Sequence, residues 1–305
     1  MTAFLHPLPA FREGAGGRAG ATAALLPDGR LHLHHGPIDC LCRAWGHPHE
    51  IQAAYTQVAT AFATILPTLC SELPHLRTPL PTPRPQGPIA QAMHAACTPF
   101  TPIFITPMAA VAGAVADHVL AALCANRALT RAFVNNGGDI AFHLAPGHTL
   151  RAGLVTDLAA PALDGTIPLH AHHPARGLAT SGRACKGQGG RSFSFGIADA
   201  VTILARTAAT ADAAATIVAN AVDLPGHPAI IRRPADDIDP DSDLGDRPIT
   251  WDVLPLTPAE ADAALDAGRR VADALAAAGL IDGAVLALGG RFAISGTNLS
   301  RLEHA

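Results

Sequence analysis

The chain has 305 residues, 49% of them hydrophobic but only 4% aromatic and 15% charged; that is enough apolar length for a sizeable core of aliphatic side chains, and it excludes a disordered chain. A net charge of −4, a single lysine (Lys186) and no basic run exclude the clustered cations that a nucleic-acid backbone needs. The N-terminal segment does not read as a secretory signal, Pro, Gly, His or Asp interrupts every long apolar stretch, and six scattered cysteines suit a reducing compartment, so the expectation is a cytoplasmic protein with no membrane span.

Residues 22–35 place Pro27-Asp28-Gly29 between two apolar stretches, and Leu31 and Leu33 alternate with His32 and His34, which predicts a hairpin with a half-buried second strand. His49 to Ser71 carries apolar residues at helical spacing and predicts one helix. The proline-rich run 74–88 reads as an extended connector. A second helix is expected from Thr106 as N-cap and Pro107 as first residue, rich in small side chains that let another backbone come close. Strands follow on either side of Asn135-Asn136-Gly137-Gly138-Asp139, and at residues 150–155 and 201–205. A third helix is expected with Thr210 as N-cap and Asp212 in its first turn. Residues 234–246 form an acidic connector, Thr257-Pro258-Ala259-Glu260 is a capping box opening the last helix, and two closing strands end the chain. Helices and strands alternate without a βαβ rhythm, so the fold class is α+β, a single domain with mixed or antiparallel sheets and two closely joined lobes. The stretches 107–144 and 201–222 are similar enough in composition to admit an internal duplication.

Three segments carry the candidate chemistry. Consecutive glycines in Asn135–Asp139 permit a sharp turn and can bring N–H groups against a phosphate, although Asn-Gly is also the ordinary signal of a hairpin. Ala179-Thr180-Ser181-Gly182, followed by Lys186 and Arg191, combines hydroxyls, backbone donors and positive charge as a diphosphate site would, or is a surface loop. Asp212 and Thr216 are one helical turn apart and share a face, so they can hold a hard cation such as Mg²⁺, unless Asp212 only complements its own helix dipole. His170, His172 and His173, and Cys40 with Cys42 near His47 and His49, have metal-like spacing, for which solvated or core positions are the plainer account.

In this order, NNGGDI (135–140), ATSG (179–182), ADAAAT (211–216) and the small-residue helix with Gly113 and Asp117 together resemble the ApbE superfamily of FAD:protein FMN transferases. Similarity at SFGIADAVTILA and SDLGD points to a non-lipoprotein branch. The resemblance implies an ApbE-like fold with FAD or FMN bound between lobes. Asn135, Asn136, Gly137, Gly138 and Asp139 would shape one wall of the pocket, and Thr180, Ser181 and Gly182 the other. Mg²⁺ would sit at Asp212, Thr216 and a backbone carbonyl near Ala109. The family's helical Lys is Ala112 here, and its His-x-Asp-Pro-x-Thr-Gly segment is replaced by residues 191–199; Arg191, Ser194 and Asp199 then become the candidate catalytic groups. Three readings follow: a Mg-dependent FMN transferase acting on a protein or small-molecule acceptor, a flavin-binding protein without transfer activity, or an enzyme with another substrate in the same cleft. The alanine-rich helices are compatible with a monomer or a homodimer.

Overall fold

The computed structural model describes residues 20–155, 165–183 and 193–296. β1 (Thr22–Leu25) and β2 (Leu31–His35) form the expected hairpin, and β3 (Ile38–Gly46) pairs with β2. The helix expected over His49–Ser71 is two helices, α1 (Pro48–Phe62) and α2 (Ile65–Ser71). Pro67 is the cause: it has no N–H and its ring would clash with the carbonyl four residues back, at Ala63. A short α3 (Leu73–Leu76) and α4 (Pro88–Cys97) bracket the proline-rich stretch. A single 3₁₀ turn, Pro107–Ala110, then leads into α5 (Val111–Cys124).

The remaining elements are β4 (Leu129–Asn136), β5 (Asp139–Leu144), β6 (Thr149–Leu154), β7 (Gly165–His170), β8 (Gly177–Ser181), β9 (Ala200–Ala205), α6 (Ala208–Ala221), β10 (Ile230–Pro234), β11 (Pro248–Val253), α7 (Pro258–Ala277), β12 (Gly283–Leu288) and β13 (Arg291–Ser295). Nine strands make one sheet in the order β1-β2-β3-β4-β5-β8-β9-β12-β13, with every neighbouring pair antiparallel. The α+β class is therefore observed. Helices α1, α4, α5, α6 and α7 cover one face through the main core, to which the sheet contributes Leu31, Leu33, Cys40, Cys42, Val134 and Ile203 among others. The β6–β7 hairpin covers part of the other face, over Phe142, Leu178, Leu204 and Val285.

Alternation along β3 turns Cys40 and Cys42 inward, and burial pushes both thiols up, Cys40 to about 12; they are core residues. His47 caps α1 by accepting from the N–H of His49, and His170 stacks on His172 with ring centroids 5.3 Å apart. Among the described residues no three His, Cys, Asp or Glu side chains could together hold a metal.

α6 begins three residues earlier than expected. Thr207, in extended conformation, is the N-cap and accepts from Thr210 N–H, so Asp212 lies in the second turn rather than the first. Helix-favouring Ala208 and Ala209 extend the helix back to the threonine that can reach a free amide. Its alanines are almost all buried. The backbones around it approach closely: a Cβ at Gly113 would lie 2.2 Å from Ala208 O, one at Gly177 2.1 Å from Ala208 N, and one at Gly196 1.9 Å from Ala219 O. The segment Pro107–Cys124 has the length and mean hydropathy (1.6) of a membrane span, contrary to the expectation above. In the fold it is packed against the sheet, α1, α4 and α6.

Candidate functional site

Two helix N-termini and one end of the sheet build the site. Gly113 is the third residue of α5, and its N–H is one of the amides that an α-helix leaves without an internal partner. Asp212 on α6 accepts it through Oδ2 at 3.0 Å. The same relation runs the other way: Asp117 on α5 accepts from Ala208 N–H and Ala209 N–H, the first two residues of α6, at 3.0 and 2.9 Å. Each helix thus caps the other with a carboxylate one turn beyond the residue at the close contact, Gly113 to Asp117 and Ala208 to Asp212. This reciprocity is the structural counterpart of the compositional likeness between the two stretches. Burial raises the Asp117 carboxyl above the usual carboxylate range, against the opposing pull of its two amide bonds. Asp212 therefore complements the dipole of α5, not that of its own helix.

The Asn135–Asp139 segment meets the same helix end. Gly137 (φ +65°) and Gly138 (φ +108°) form a two-residue turn between β4 and β5, in backbone conformations that L side chains rarely adopt. Asn135 Oδ1 holds the turn by accepting from Gly138 N–H at 2.8 Å. Asn136, buried on the helix face, donates from Nδ2 to Ala112 O at 3.0 Å, so turn and helix are joined at the residue next to Gly113. Asp139 pairs with Asn136 across the turn and is buried beside it.

β8 supplies the other side. It is not a loop, as one reading of its residues had it, but a strand whose ladder with β5 stops at Ile140–Leu178, while its pairing with β9 continues to Ser181–Val201. Beyond Leu178, β8 runs on past the end of its ladder with β5, paired with β9 alone. Alternation sends Thr180 and Ser181 to opposite faces. Thr180 bonds Thr202 (2.9 Å between hydroxyl oxygens) on the face away from the helices, so it does not line a wall together with Ser181. Ser181 lies on the helix face, where its Oγ is buried and has no hydrogen-bond partner among the described residues. Gly182, at φ +149°, passes close to the backbone of Asp199 and Ala200.

α6 crosses this region lengthwise. It starts against Gly177, and Thr216 lies eight residues on, about 12 Å along the axis. Ser181 lies four residues along β8 from Gly177, about 13 Å. Thr216 stands one turn beyond Asp212 on α6 and is half-buried. Ala109 lies in the 3₁₀ turn leading into α5, where its N–H donates to Thr106 O. Sequence reasoning missed a contact to this turn from the acidic connector: Thr106 Oγ1, expected to cap the helix, donates instead to Asp243.

Of the three candidate catalytic groups, Ser194 and Asp199 lie within the described residues and engage different partners. Arg191 lies outside the described residues. Ser194 donates to Asn220 Oδ1 (3.1 Å) at the far end of α6, beside Phe195, whose ring packs edge-on against Phe104. Asp199 accepts from Gly289 N–H (2.6 Å) and faces Arg183 at 3.8 Å in a separate cleft.

A family model described as AbpE bacteria matches residues 23–294. The chain belongs to that family. Within the family match lie all the motifs that carry the likeness to the ApbE superfamily. Among its relatives, a UPF0280 protein of Methanoregula boonei is 35% identical over 168 residues, 52% of this chain and 65% of that protein. A UPF0280 protein of Methanothermobacter thermautotrophicus is 38% identical over 123 residues, 40% of this chain and 44% of that one. The chain thus spans less than two thirds of the length of these UPF0280 relatives. Among solved structures, apo flavinyl transferase ApbE of Pseudomonas stutzeri aligns over 65% of this chain and 50% of its own, at 16% identity and a TM-score of 0.34.

Proposed function

We propose that the chain binds a flavin nucleotide, FAD or FMN, with its phosphates at the N-terminus of α5 and a Mg²⁺ held by Asp212, Thr216 and the carbonyl of Ala109. The observation that carries this reading is the meeting of two motifs on one peptide group, that between Ala112 and Gly113: Asn136 donates to its carbonyl and Asp212 accepts from its N–H. An N-terminal helix end favours anionic phosphate through its amides and dipole. The donor set suits the cation, since a carboxylate, a hydroxyl and a carbonyl are hard oxygen ligands and Mg²⁺ takes its remaining ligands from phosphate and water. The Ser181 hydroxyl, buried and without a partner among the described residues, is the kind of group that a bound ligand satisfies. Bound there, Mg²⁺ would polarise a diphosphate.

The engagement of Ser194 by Asn220 and of Asp199 by Gly289 favours nucleotide binding without flavin transfer by these side chains. The test is a titration of the full chain with FAD and Mg²⁺, followed by flavin fluorescence and by AMP release. Flavin bound without AMP supports a carrier. AMP formed only with the metal, and lost in Asp212→Asn, supports a transferase. If FAD and FMN both fail to bind with Mg²⁺ present, the proposal is wrong.

A further inference from the structure

We propose that Asp243, on the tip of the β10–β11 hairpin, is a positioning residue for the cation site: it fixes the 3₁₀ turn that carries Ala109. This inference rests on the reading of Asp212, Thr216 and the Ala109 carbonyl as cation ligands given above. The acidic connector between β10 and β11 is folded on itself rather than extended. Ala235 N–H bonds to Arg247 O and Asp236 N–H to Gly245 O, both at 3.0 Å, and Ser242 N–H bonds to Asp239 O at 2.9 Å. The stem below it is clamped by Arg232, whose Nη2 lies 2.6 and 2.7 Å from the two oxygens of Asp223. So built, the tip meets the stretch leading into the 3₁₀ turn at two points. Arg247 lies over the ring of Phe104, 3.7 Å from its centroid, and Asp243 Oδ2 accepts from Thr106 Oγ1.

Thr106 is the extended residue before the turn (φ −106°, ψ 158°), where a threonine ordinarily directs its hydroxyl onto the free amides that follow. Here the hydroxyl goes to a carboxylate 137 positions away. A charged acceptor makes the stronger bond, so the local cap is exchanged for a firmer anchor. Thr106 then holds the turn through its carbonyl, which accepts from Ala109 N–H at 3.1 Å. The path from Asp243 to Ala109 is two hydrogen bonds long, and it passes through a buried residue, where solvent does not compete for the hydroxyl. Such an anchor matters for Mg²⁺ in particular, because that ion demands near-ideal octahedral geometry and a displaced carbonyl is a poor ligand. Groups that orient a ligand govern metal affinity without touching the ion.

FAD affinity of the full chain is measured by flavin fluorescence with and without Mg²⁺, and amide hydrogen exchange is followed with neither ligand present. Asp243→Ala is expected to weaken FAD by about tenfold or more when Mg²⁺ is present and to leave the metal-free affinity unchanged. In the ligand-free chain it should speed exchange at Ala109 N–H and spare Gly113 N–H, which Asp212 holds. Thr106→Val removes the same bond from the other side and serves if Asp243→Ala fails to fold; Thr106→Ser, which keeps the hydroxyl, should retain the parental affinity. An equal loss of affinity with and without Mg²⁺, or Ala109 exchange as slow as the parent's in both Asp243→Ala and Thr106→Val, would overturn the assignment. A parent that binds no FAD with Mg²⁺ refutes the nucleotide proposal and the cation role of Asp243 with it, whereas parental binding kept in full by both variants refutes the role of Asp243 alone.

Discussion

Gly113→Ala tests the helix crossing on which the candidate site is built. The added Cβ would lie 2.2 Å from Ala208 O, 2.5 Å from Ala208 C and 2.8 Å from Ala209 N. All three are backbone atoms, so no side chain can swing away, and α5 and α6 must part by about 1 Å to restore ordinary contact. Overpacking of this kind costs about 1–3 kcal/mol. The movement also stretches the bonds from Gly113 N–H to Asp212 and from Ala208 and Ala209 N–H to Asp117, which stand at 3.0, 3.0 and 2.9 Å. Losing one bond to a charged group adds about 1.5–3 kcal/mol, and replacing a helical glycine by alanine returns about 1 kcal/mol. A net loss of about 1.5–5 kcal/mol is expected, read as a lower midpoint in urea unfolding with an unchanged slope. The exposed Ala121→Gly on the same helix isolates the propensity contribution. A Gly113→Ala midpoint equal to or above the parent's would mean that propensity alone governs the position, and the close crossing would be refuted.

Replacing Arg232 by Lys should destabilise the chain by about 1.5–3 kcal/mol in the same assay, because its Nη2 lies 2.6 and 2.7 Å from the two oxygens of Asp223 and its Nη1 donates to Phe195 O and Thr250. The capping box of α7 makes a pH prediction: bonding from Thr257 N–H, foremost, holds the Glu260 carboxyl below its ordinary range. Its stabilising contribution is complete above the unfolded-state value and is lost as pH falls through the lowered folded value, so Glu260→Gln should flatten the stability profile in that acid window and leave its slope near neutrality unchanged. In the native protein a thiol reagent should modify Cys70, which is exposed, and spare Cys40, Cys42 and Cys97, which are buried with thiols pushed up by burial. Peptide mapping by mass spectrometry before and after unfolding reads this directly, and early labelling of Cys40 or Cys42 would contradict their place in the core.

Local features of the chain were legible from its order of residues. The β1–β2 hairpin, the Gly137-Gly138 turn and the Thr257–Glu260 box all form where the motifs place them, since each depends on neighbours a few residues apart. The breaks in expectation also have local causes: Pro67 splits the first helix, and Thr207 rather than Thr210 caps α6. Of the candidate site, Asn136, Asp139 and Asp212 are gathered at one helix end, Ser181 lies on the helix face of β8, and Thr180 faces the other way.

Taken alone, the sequence determined the class of fold, the inward positions of its strands and the glycine turn, because periodicity and backbone conformation are encoded over short range. It could not reveal which group each charged side chain serves. Gly113 and Asp212 are 99 positions apart, and Asp199 and Gly289 are 90 apart. Only the antiparallel pairing of β5, β8, β9 and β12, with α6 laid across them, decides that one carboxylate caps a helix beside the turn while the other is drawn into a different cleft. Contacts of that range follow from the packing of whole elements, not from the spacing of residues along the chain.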